Sequence, residues 1–101
     1  MPEAPHCMST FWLTCATIAP GAGVDRDVLI DRLAHEDIEA RPAWKPMHLQ
    51  PIFAGARTIG GTVAERLFAE GICLPSGSNL TASDRERVVE TIHRAYADAT
   101  P

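Results

Sequence analysis

The sequence is short of lysine. Eight of its nine basic residues are arginine, and Lys45 is the only lysine. A covalent imine to a carbonyl cofactor or substrate requires a lysine side chain, so such chemistry has a single candidate here. The formal net charge of -4 also lacks the positive excess by which proteins neutralise nucleic-acid phosphates. The composition therefore argues against a nucleic-acid partner.

Cysteine is scarce and scattered. None of the three, Cys7, Cys15 and Cys73, belongs to a C-x-x-C pair, so the pattern predicts free, buried thiols and no disulfide framework. His6 and Cys7 are the only adjacent pair of histidine and cysteine, which is too few for zinc, and we expect no metal site. Free thiols of this kind are typical of a cytoplasmic protein.

Long apolar segments are absent as well. The apolar run over residues 11–19 is too short to span a bilayer, and it lacks the preceding positive charge of a secretory signal. With 46% hydrophobic and 22% charged residues in 101, the composition is that of one ordinary globular domain. We expect a lead-in over residues 1–9, a folded domain over 10–97 and a tail over 98–101.

Three segments have the features of strands. Residues 10–18 are uncharged and rich in β-branched and aromatic residues, which predicts a buried strand ended by a turn at 20–23. Residues 38–41 predict a second strand, which Pro42 stops because proline lacks the N–H donor of a ladder. Residues 72–75 predict a third.

Three amphipathic helices alternate with these strands. The first is predicted to begin after Asp25 as N-cap, with Val24 and Leu29 as a hydrophobic staple, and to end near residues 35–37. The side chains expected to be buried are Leu29, Ile30, Leu33 and Ala34 on the first helix, Val63, Leu67 and Phe68 on the second, and Val88, Val89, Ile92, Ala95 and Tyr96 on the third.

The second and third helices carry their own capping signals. Thr62 and Glu65 have capping-box spacing, and Gly71 is a suitable C-terminal stop. The third helix has two candidate capping pairs, which are Thr81 with Asp84 and Ser83 with Glu86. The fold class predicted is α/β (of the α+β type), a two-layer sandwich of a small, mostly antiparallel sheet with about three helices.

The loop over residues 41–51 is the first candidate site. Its three prolines forbid a regular helix, so we expect a fixed, extended loop. Arg41, Lys45 and His48 could form an anion-binding lip, with Trp44 as an aromatic platform. The alternative is a packed connection whose basic side chains point to water.

The turn at residues 76–79 is the second candidate. Ser76, Gly77, Ser78 and Asn79 precede a helix start and could present backbone N–H groups to an anion. The alternative is a plain turn of small polar residues. The sequence has no P-loop pattern and no nucleophile elbow, and we assign no catalytic residue.

Three strings in this order resemble one known family. They are EARPAWKPMHLQP over residues 39–51, VAERLF over 63–68 and GICLPSGSNLT over 71–81. They are similar to the C-terminal part of the DegT/DnrJ family of pyridoxal-phosphate sugar-nucleotide aminotransferases of fold type I. The string FWLT over residues 11–14 resembles the strand by which that family's chain enters its small domain. The resemblance extends over residues 9–96.

The resemblance implies a small domain beside a large, cofactor-binding domain. It implies that the loop carrying Arg41, Trp44, Lys45 and His48 faces the active-site cleft, often near a second subunit. It also implies that pyridoxal phosphate serves the intact family in making amino sugars for glycans. The family's large domain, with its Schiff-base lysine, has no counterpart here, and Lys45 belongs to the small-domain loop instead.

Three hypotheses follow. In the first, this is a truncated or split aminotransferase that binds no cofactor alone and needs a large-domain chain encoded nearby, with a homo-oligomer possible. In the second, it is a non-catalytic remnant or interaction module that keeps only the small-domain fold. In the third, it is a small stand-alone binder of anions or nucleotide sugars.

Overall fold

A computed structural model describes residues 3–99, so residues 1–2 of the predicted lead-in and 100–101 of the predicted tail lie outside the described part. The elements are strand β1 (Thr14–Thr17), helix α1 (Arg26–His35), strand β2 (Arg41–Pro42), two 3-10 turns (Met47–Leu49 and Pro51–Phe53), helix α2 (Thr62–Glu70), strand β3 (Gly71–Leu74) and helix α3 (Ala82–Ala97).

The strands form one antiparallel sheet in the order β1-β3-β2. Helices α1 and α3 pack against each other, and α1 also contacts β3. This confirms the predicted two-layer α/β fold. The buried apolar core consists of Val24, Leu29, Leu33, Ile38, Ile72 and Ala95.

Strand β1 is shorter and more open than its sequence predicts. Pairing begins at Thr14 rather than at residue 10, and all four residues of β1 are exposed, so the prediction of a buried strand is wrong. Phe11 has a positive φ of 50°, which interrupts the extended backbone before β1. The apolar composition thus predicts that a strand lies in this segment, but it does not show whether this chain buries the strand.

Helix α1 ends in a Schellman motif. Ile38 N–H donates to the carbonyl of Leu33 at 2.9 Å, and Asp37 N–H donates to the carbonyl of Ala34 at 3.0 Å. Asp37 adopts the left-handed conformation (φ 56°), and the buried side chains of Leu33 and Ile38 supply the motif's apolar contact. This use of Ile38 is why the second strand does not begin there, as predicted, but at Arg41.

Pro42 continues strand β2 instead of stopping it. Ala43 N–H donates to the carbonyl of Gly71 at 2.9 Å. Because hydrogen-bonded positions alternate along an antiparallel strand, the backbone N–H and C=O groups of residues 41 and 43 point toward β3. Pro42, opposite Ile72, therefore sits at the position whose missing N–H would point away from the sheet. The prediction that proline ends the strand is wrong because β2 is an edge strand.

Helix α2 differs most from expectation. Its N-cap is Gly61 in the left-handed conformation (φ 114°), and the predicted capping box of Thr62 and Glu65 does not form. Of the predicted buried face, Val63 is 62% exposed and Leu67 is 44% exposed. The helix thus carries an apolar face that this chain leaves uncovered.

Helix α3 starts with the capping box predicted at Thr81. Asp84 N–H donates to Thr81 Oγ1 at 3.1 Å, and Thr81 N–H donates to Asp84 Oδ2 at 2.9 Å. Ala95 is buried, but Val89, which the sequence predicts to be buried, is half exposed. No helix within residues 3–99 is long and apolar enough to cross a bilayer.

Replacing Thr81 with alanine is expected to lower the free energy of unfolding by about 1 kcal/mol near neutral pH. The hydrogen bonds from Thr81 hold the pKa of Asp84 below its ordinary 3.8. A carboxylate with a depressed pKa stabilises the fold above its unfolded pKa, and that contribution is lost as pH falls through the folded value. The cost of Thr81→Ala should therefore shrink below pH 3.8 in urea titrations at several pH values. Ser83→Ala, at the cap that is not used, is the matched control and should change little.

The chain is more open than a self-contained domain of its length. Its radius of gyration is 15.9 Å, against about 13 Å for a compact chain of 100 residues. Its accessible surface is 7878 Å², whereas a compact monomer of its mass exposes about 5,600 Å². The chain thus exposes more than 2,000 Å² of surface beyond what a compact fold of this mass exposes.

Candidate functional site

The two candidate segments meet at one cavity. A hollow of about 550 Å³ lies where β2, the segment after β3 and the start of α3 converge. Of the predicted site residues, Arg41 and Trp44 line it from the loop, and Ser76, Gly77 and Asn79 line it from the turn. Its volume is in the range of small-molecule sites.

The remaining predicted residues lie elsewhere. Lys45 is exposed and does not line the cavity, and the same holds for Ser78. His48 sits in the first 3-10 turn, beside a separate depression of about 270 Å³. Arg41, Lys45 and His48 therefore do not come together in the single anion-binding site that the sequence predicts. The loop also departs from the extended form predicted, because Pro46 and Pro51 begin 3-10 turns in it.

Arg41 is held by a neighbour in sequence. Its Nε donates to Glu39 Oε1 at 2.7 Å, and both side chains are largely exposed. Glu39 also lines the cavity and offsets the positive charge of Arg41. Arg41 alone therefore does not make the cavity an anion site.

Two tryptophans form the aromatic part of the site. The rings of Trp12 and Trp44 are 5.8 Å apart between centroids, with an angle of 36° between their planes. Trp12 is 70% exposed and Trp44 is 63% exposed. Two large aromatic side chains that contact each other and remain mostly exposed are unusual in a monomer and indicate a contact surface.

The turn is held by the hydroxyl of Ser76. Ser76 Oγ donates to the carbonyl of Leu74 at 2.7 Å and accepts from Thr14 N–H at 2.7 Å, so it ties the start of β1 to the end of β3. Leu80 N–H donates to the carbonyl of Gly77 at 3.1 Å and closes the turn. A Cβ at Gly77 would lie 2.5 Å from Asn79 Oδ1, which favours glycine there.

The charges around the cavity are mixed. The residues that line it include two arginines and three carboxylates. The arginines are Arg41 and Arg87, and the carboxylates are Asp37, Glu39 and Asp84. Hydrogen bonds from Thr81 keep the pKa of Asp84 low, so a carboxylate already occupies the positive end of helix α3. An anion bound at this turn would have to compete with that carboxylate.

His48 positions the loop against helix α2. Its Nε2 lies 2.7 Å from Glu65 Oε1, and only 19% of its side chain is exposed. Gly61 makes room for the ring, since a Cβ at that position would lie 2.9 Å from His48 Cε1. Glu65, predicted to cap α2, is therefore used to hold His48 instead.

Several residues of the cavity have no sequence signal as site residues. Asp37 and Arg87 line the cavity from outside the loop and the turn, and Trp12 reaches the site through its ring contact with Trp44. Trp12 belongs to the string FWLT that carries part of the family resemblance, and this was the one signal pointing to it. Arg87 donates to the carbonyl of Glu36 and so ties α3 to the end of α1.

Comparison with known proteins identifies the same family over most of the chain. The family model described as DegT/DnrJ/EryC1/StrS aminotransferase family matches residues 1–93. The putative pyridoxal phosphate-dependent aminotransferase EpsN of Bacillus subtilis is 46% identical over 96 residues, covering 91% of this chain and 24% of that protein. GDP-perosamine synthase of Caulobacter vibrioides is 33% identical over 92 residues, covering 87% of this chain and 25% of that protein.

Solved structures agree. The aminotransferase TlmJ from Streptoalloteichus hindustanus superposes with a TM-score of 0.81 at 25% identity, covering 100% of this chain and 26% of that one. Helicobacter pylori PseC, an aminotransferase of pseudoaminic acid biosynthesis, superposes with a TM-score of 0.74 at 16% identity, covering 85% of this chain and 24% of that one. The fold of this chain is thus found within both.

The sequence given spans about a quarter of the length of these relatives. The matched part agrees with the C-terminal small domain that the three strings predict, and the predicted resemblance is confirmed. This chain belongs to the DegT/DnrJ/EryC1/StrS aminotransferase family.

Proposed function

We propose that this chain is the small domain of a sugar-nucleotide aminotransferase and docks onto a large domain that supplies lysine and pyridoxal phosphate. On its own it does not transaminate. The observation that carries the proposal is the apolar surface left uncovered by a chain whose relatives are four times as long.

The uncovered side chains are not spread evenly. Of the twelve large apolar residues that are exposed within residues 3–99, only Val28 and Val89 lie on α1 and α3. The other ten lie in the segment before β1, in the segment 44–59 and on α2, and are Met8, Phe11, Trp12, Trp44, Met47, Leu49, Ile52, Ile59, Val63 and Leu67. We call these ten residues the docking set. None of them lies on α1 or α3, the two helices that pack against each other, and this is the distribution expected if another domain covers them.

The amount of exposed surface supports a large interface. A specific interface of standard size removes about 800 Å² from each partner. The surface of this chain exceeds that of a compact monomer of its mass by more than 2,000 Å². That excess is enough for a domain interface and for a further contact with a second subunit of a homo-oligomer.

The described residues do not fit pyridoxal phosphate. A lysine that forms an imine has to be reachable and is activated by desolvation or by a nearby cation. Lys45 is exposed on the loop and lies outside the 550 Å³ cavity. The cavity itself carries three carboxylates, which oppose a phosphate. We therefore place the cofactor on the large domain and derive no step through it here.

The loop and turn are assigned to the rim of the shared cleft. Arg41 and Trp44 line the cavity and are both exposed, so a nucleotide-sugar substrate bound there could also meet the large domain. Lys45 is exposed beside them, and His48 with Glu65 fixes the path of the loop. Ser76, Gly77, Ser78 and Asn79 form the opposite rim. In this arrangement the small domain binds and orients substrate, and the large domain performs the chemistry.

The docking proposal is tested by a graft. This chain replaces the matched segment of its Bacillus subtilis relative, and Val63→Ala is measured in the graft and in the free chain. Val63 is 62% exposed, so truncation in the free chain should change the free energy of unfolding by less than about 0.5 kcal/mol. In the graft, where a large domain covers Val63, it should cost about 1 to 2 kcal/mol.

Val89→Ala is the matched control. Val89 is 50% exposed on α3, among Arg85, Glu86 and Glu90, and the proposal leaves it in water in both proteins. Its truncation should cost the same small amount in graft and free chain. Equal costs for Val63→Ala in the two proteins would show that the large domain does not cover α2.

The cavity favours a second candidate function, a stand-alone binder of nucleotide sugars. Its 550 Å³ volume and the paired tryptophans at its edge are suited to a planar base. Titration of the free chain with a UDP-sugar, followed by tryptophan fluorescence, separates the two candidates. Quenching that saturates well below millimolar ligand and is lost in Trp44→Ala would favour the binder.

A further inference from the structure

Two of the three cysteines face each other across the sheet. Cys15 of β1 and Cys73 of β3 are directly opposed in the antiparallel register, and their Sγ atoms are 3.5 Å apart. The sequence pattern predicts free, buried thiols, and the predicted burial is wrong, because Cys7 and Cys15 are exposed and Cys73 is half-buried. Residues 58 positions apart are brought together by the fold alone.

The pair occupies a position where strand backbones approach closely. Ile18 N–H donates to the carbonyl of Glu70 at 2.9 Å, which identifies these two residues as a hydrogen-bonded pair. Because such pairs alternate along an antiparallel ladder, Cys15 and Cys73 form a non-hydrogen-bonded pair. The Cα atoms of such a pair are about 4.5 Å apart, which is within the range of disulfides.

The pair is on the open face of the sheet. Side chains alternate along a strand, and Ile72 and Leu74 of β3 pack against the helices, so Cys73 points to the other side. Cys15 is exposed, and Cys73 is half-buried. Burial and the neighbouring Cys15 raise the pKa of Cys73, so that this thiol keeps its proton and the exposed Cys15 is the one available for attack.

We propose that Cys15 and Cys73 form a redox site, which a small disulfide such as oxidised glutathione converts to a cross-strand disulfide. The Cys15 thiolate attacks one sulfur of the oxidant, forming a mixed disulfide and releasing one glutathione thiolate. The Cys73 thiol then loses its proton to water and attacks the Cys15 sulfur, releasing the second glutathione. The two protein sulfurs lose two electrons in total, and the oxidant gains them.

The bond would fasten β1 to the central strand. The loop that it closes contains α1, β2 and α2, and closing a long loop restricts the unfolded chain strongly. Oxidation should therefore raise the Tm of the chain, by roughly 10 °C or more. This inference does not depend on the docking proposal, since it concerns strands that pair within the chain itself.

The experiment uses the full chain with Cys7→Ser, which leaves only the pair. It is incubated with excess oxidised glutathione, and free thiols, mass and Tm are measured. We expect both thiols to be lost, the mass to fall by two hydrogen atoms with no glutathione retained, and Tm to rise. Reduction with dithiothreitol should reverse all three.

The double variant Cys7→Ser/Cys73→Ser is the control. It should keep one glutathione on Cys15 and show no gain in Tm.

Digestion of the oxidised wild-type chain with trypsin provides a readout that needs no substitution at the pair. Peptide 67–85 should be joined to peptide 1–26 through Cys15, with Cys7 outside the cross-link as a free thiol or a glutathione adduct. Stable glutathione adducts on both cysteines, or joining through Cys7, would overturn the proposal.

Discussion

Leu33→Ala is expected to lower the free energy of unfolding by about 3 kcal/mol. Leu33 is 0% exposed and contacts the centre of the core, and its carbonyl accepts the Ile38 N–H that ends α1. Domains of this size have total stabilities of only about 5 to 15 kcal/mol, and the open surface puts this one toward the low end. The substitution should leave about 2 kcal/mol of stability, which raises the unfolded fraction in water to about 3% and lowers the midpoint of urea denaturation followed by far-UV circular dichroism.

Leu67→Ala is the matched control, because it makes the same chemical change on α2. Leu67 is 44% exposed, so less apolar area returns to water and no closed cavity remains. Its truncation should cost less than about 1 kcal/mol in the free chain. If the two substitutions cost the same, the α1–α3 layer is not the core that this structure describes.

The second prediction concerns activity. The graft of this chain into its Bacillus subtilis relative is expected to bind pyridoxal phosphate and to convert it to the amine form when an amino donor is added. The reason is that a segment 46% identical over 96 residues should adopt the fold of the segment it replaces and so present the docking set to the large domain of the relative. The measurement is the change in cofactor absorbance with a panel of amino donors.

Two variants of the graft distinguish the assigned roles. Lys45→Ala should leave the cofactor covalently held, because the imine lysine belongs to the large domain. Trp44→Ala should raise the KM for a nucleotide sugar about tenfold or more while the cofactor remains bound, since loss of one aromatic contact costs about 1 to 2 kcal/mol. Loss of the cofactor from Lys45→Ala would contradict the division of labour between the domains.

Local signals explain what the sequence could predict. The Thr81–Asp84 capping box, the staple of Val24 with Leu29 and the end of α1 depend on residues a few positions apart, and all three occur as expected. The three strings within residues 39–81 are sufficient to identify the family, because the order of such motifs can be read from the sequence alone. These features need no knowledge of tertiary neighbours.

The errors share one physical cause. Apolar periodicity shows which faces avoid water, but not whether this chain or another one covers them. Val63 and Leu67 were therefore predicted to be buried although the chain leaves them exposed, and β1 was predicted to be a core strand. The spacing of Glu65 from Thr62 predicts a helix cap, whereas its observed partner, His48, is seventeen residues away in sequence.

The candidate site could be predicted only in its parts. Each of the two segments was recognised, but their meeting at one cavity depends on the β2–β3 pairing and on the turn held by Ser76. Trp12 and Arg87 enter the site through the fold, and no spacing in the sequence links them to Trp44. The same is true of the Cys15–Cys73 pair, which only the strand register reveals.

Reduction of the free 101-residue chain with borohydride in the presence of pyridoxal phosphate tests the central claim most directly. We predict no stoichiometric adduct at Lys45 and no exchange of amino groups, because an exposed lysine outside the cavity lacks the environment that activates an imine. A one-to-one phosphopyridoxyl adduct at Lys45 in a chain that also transaminates would contradict it.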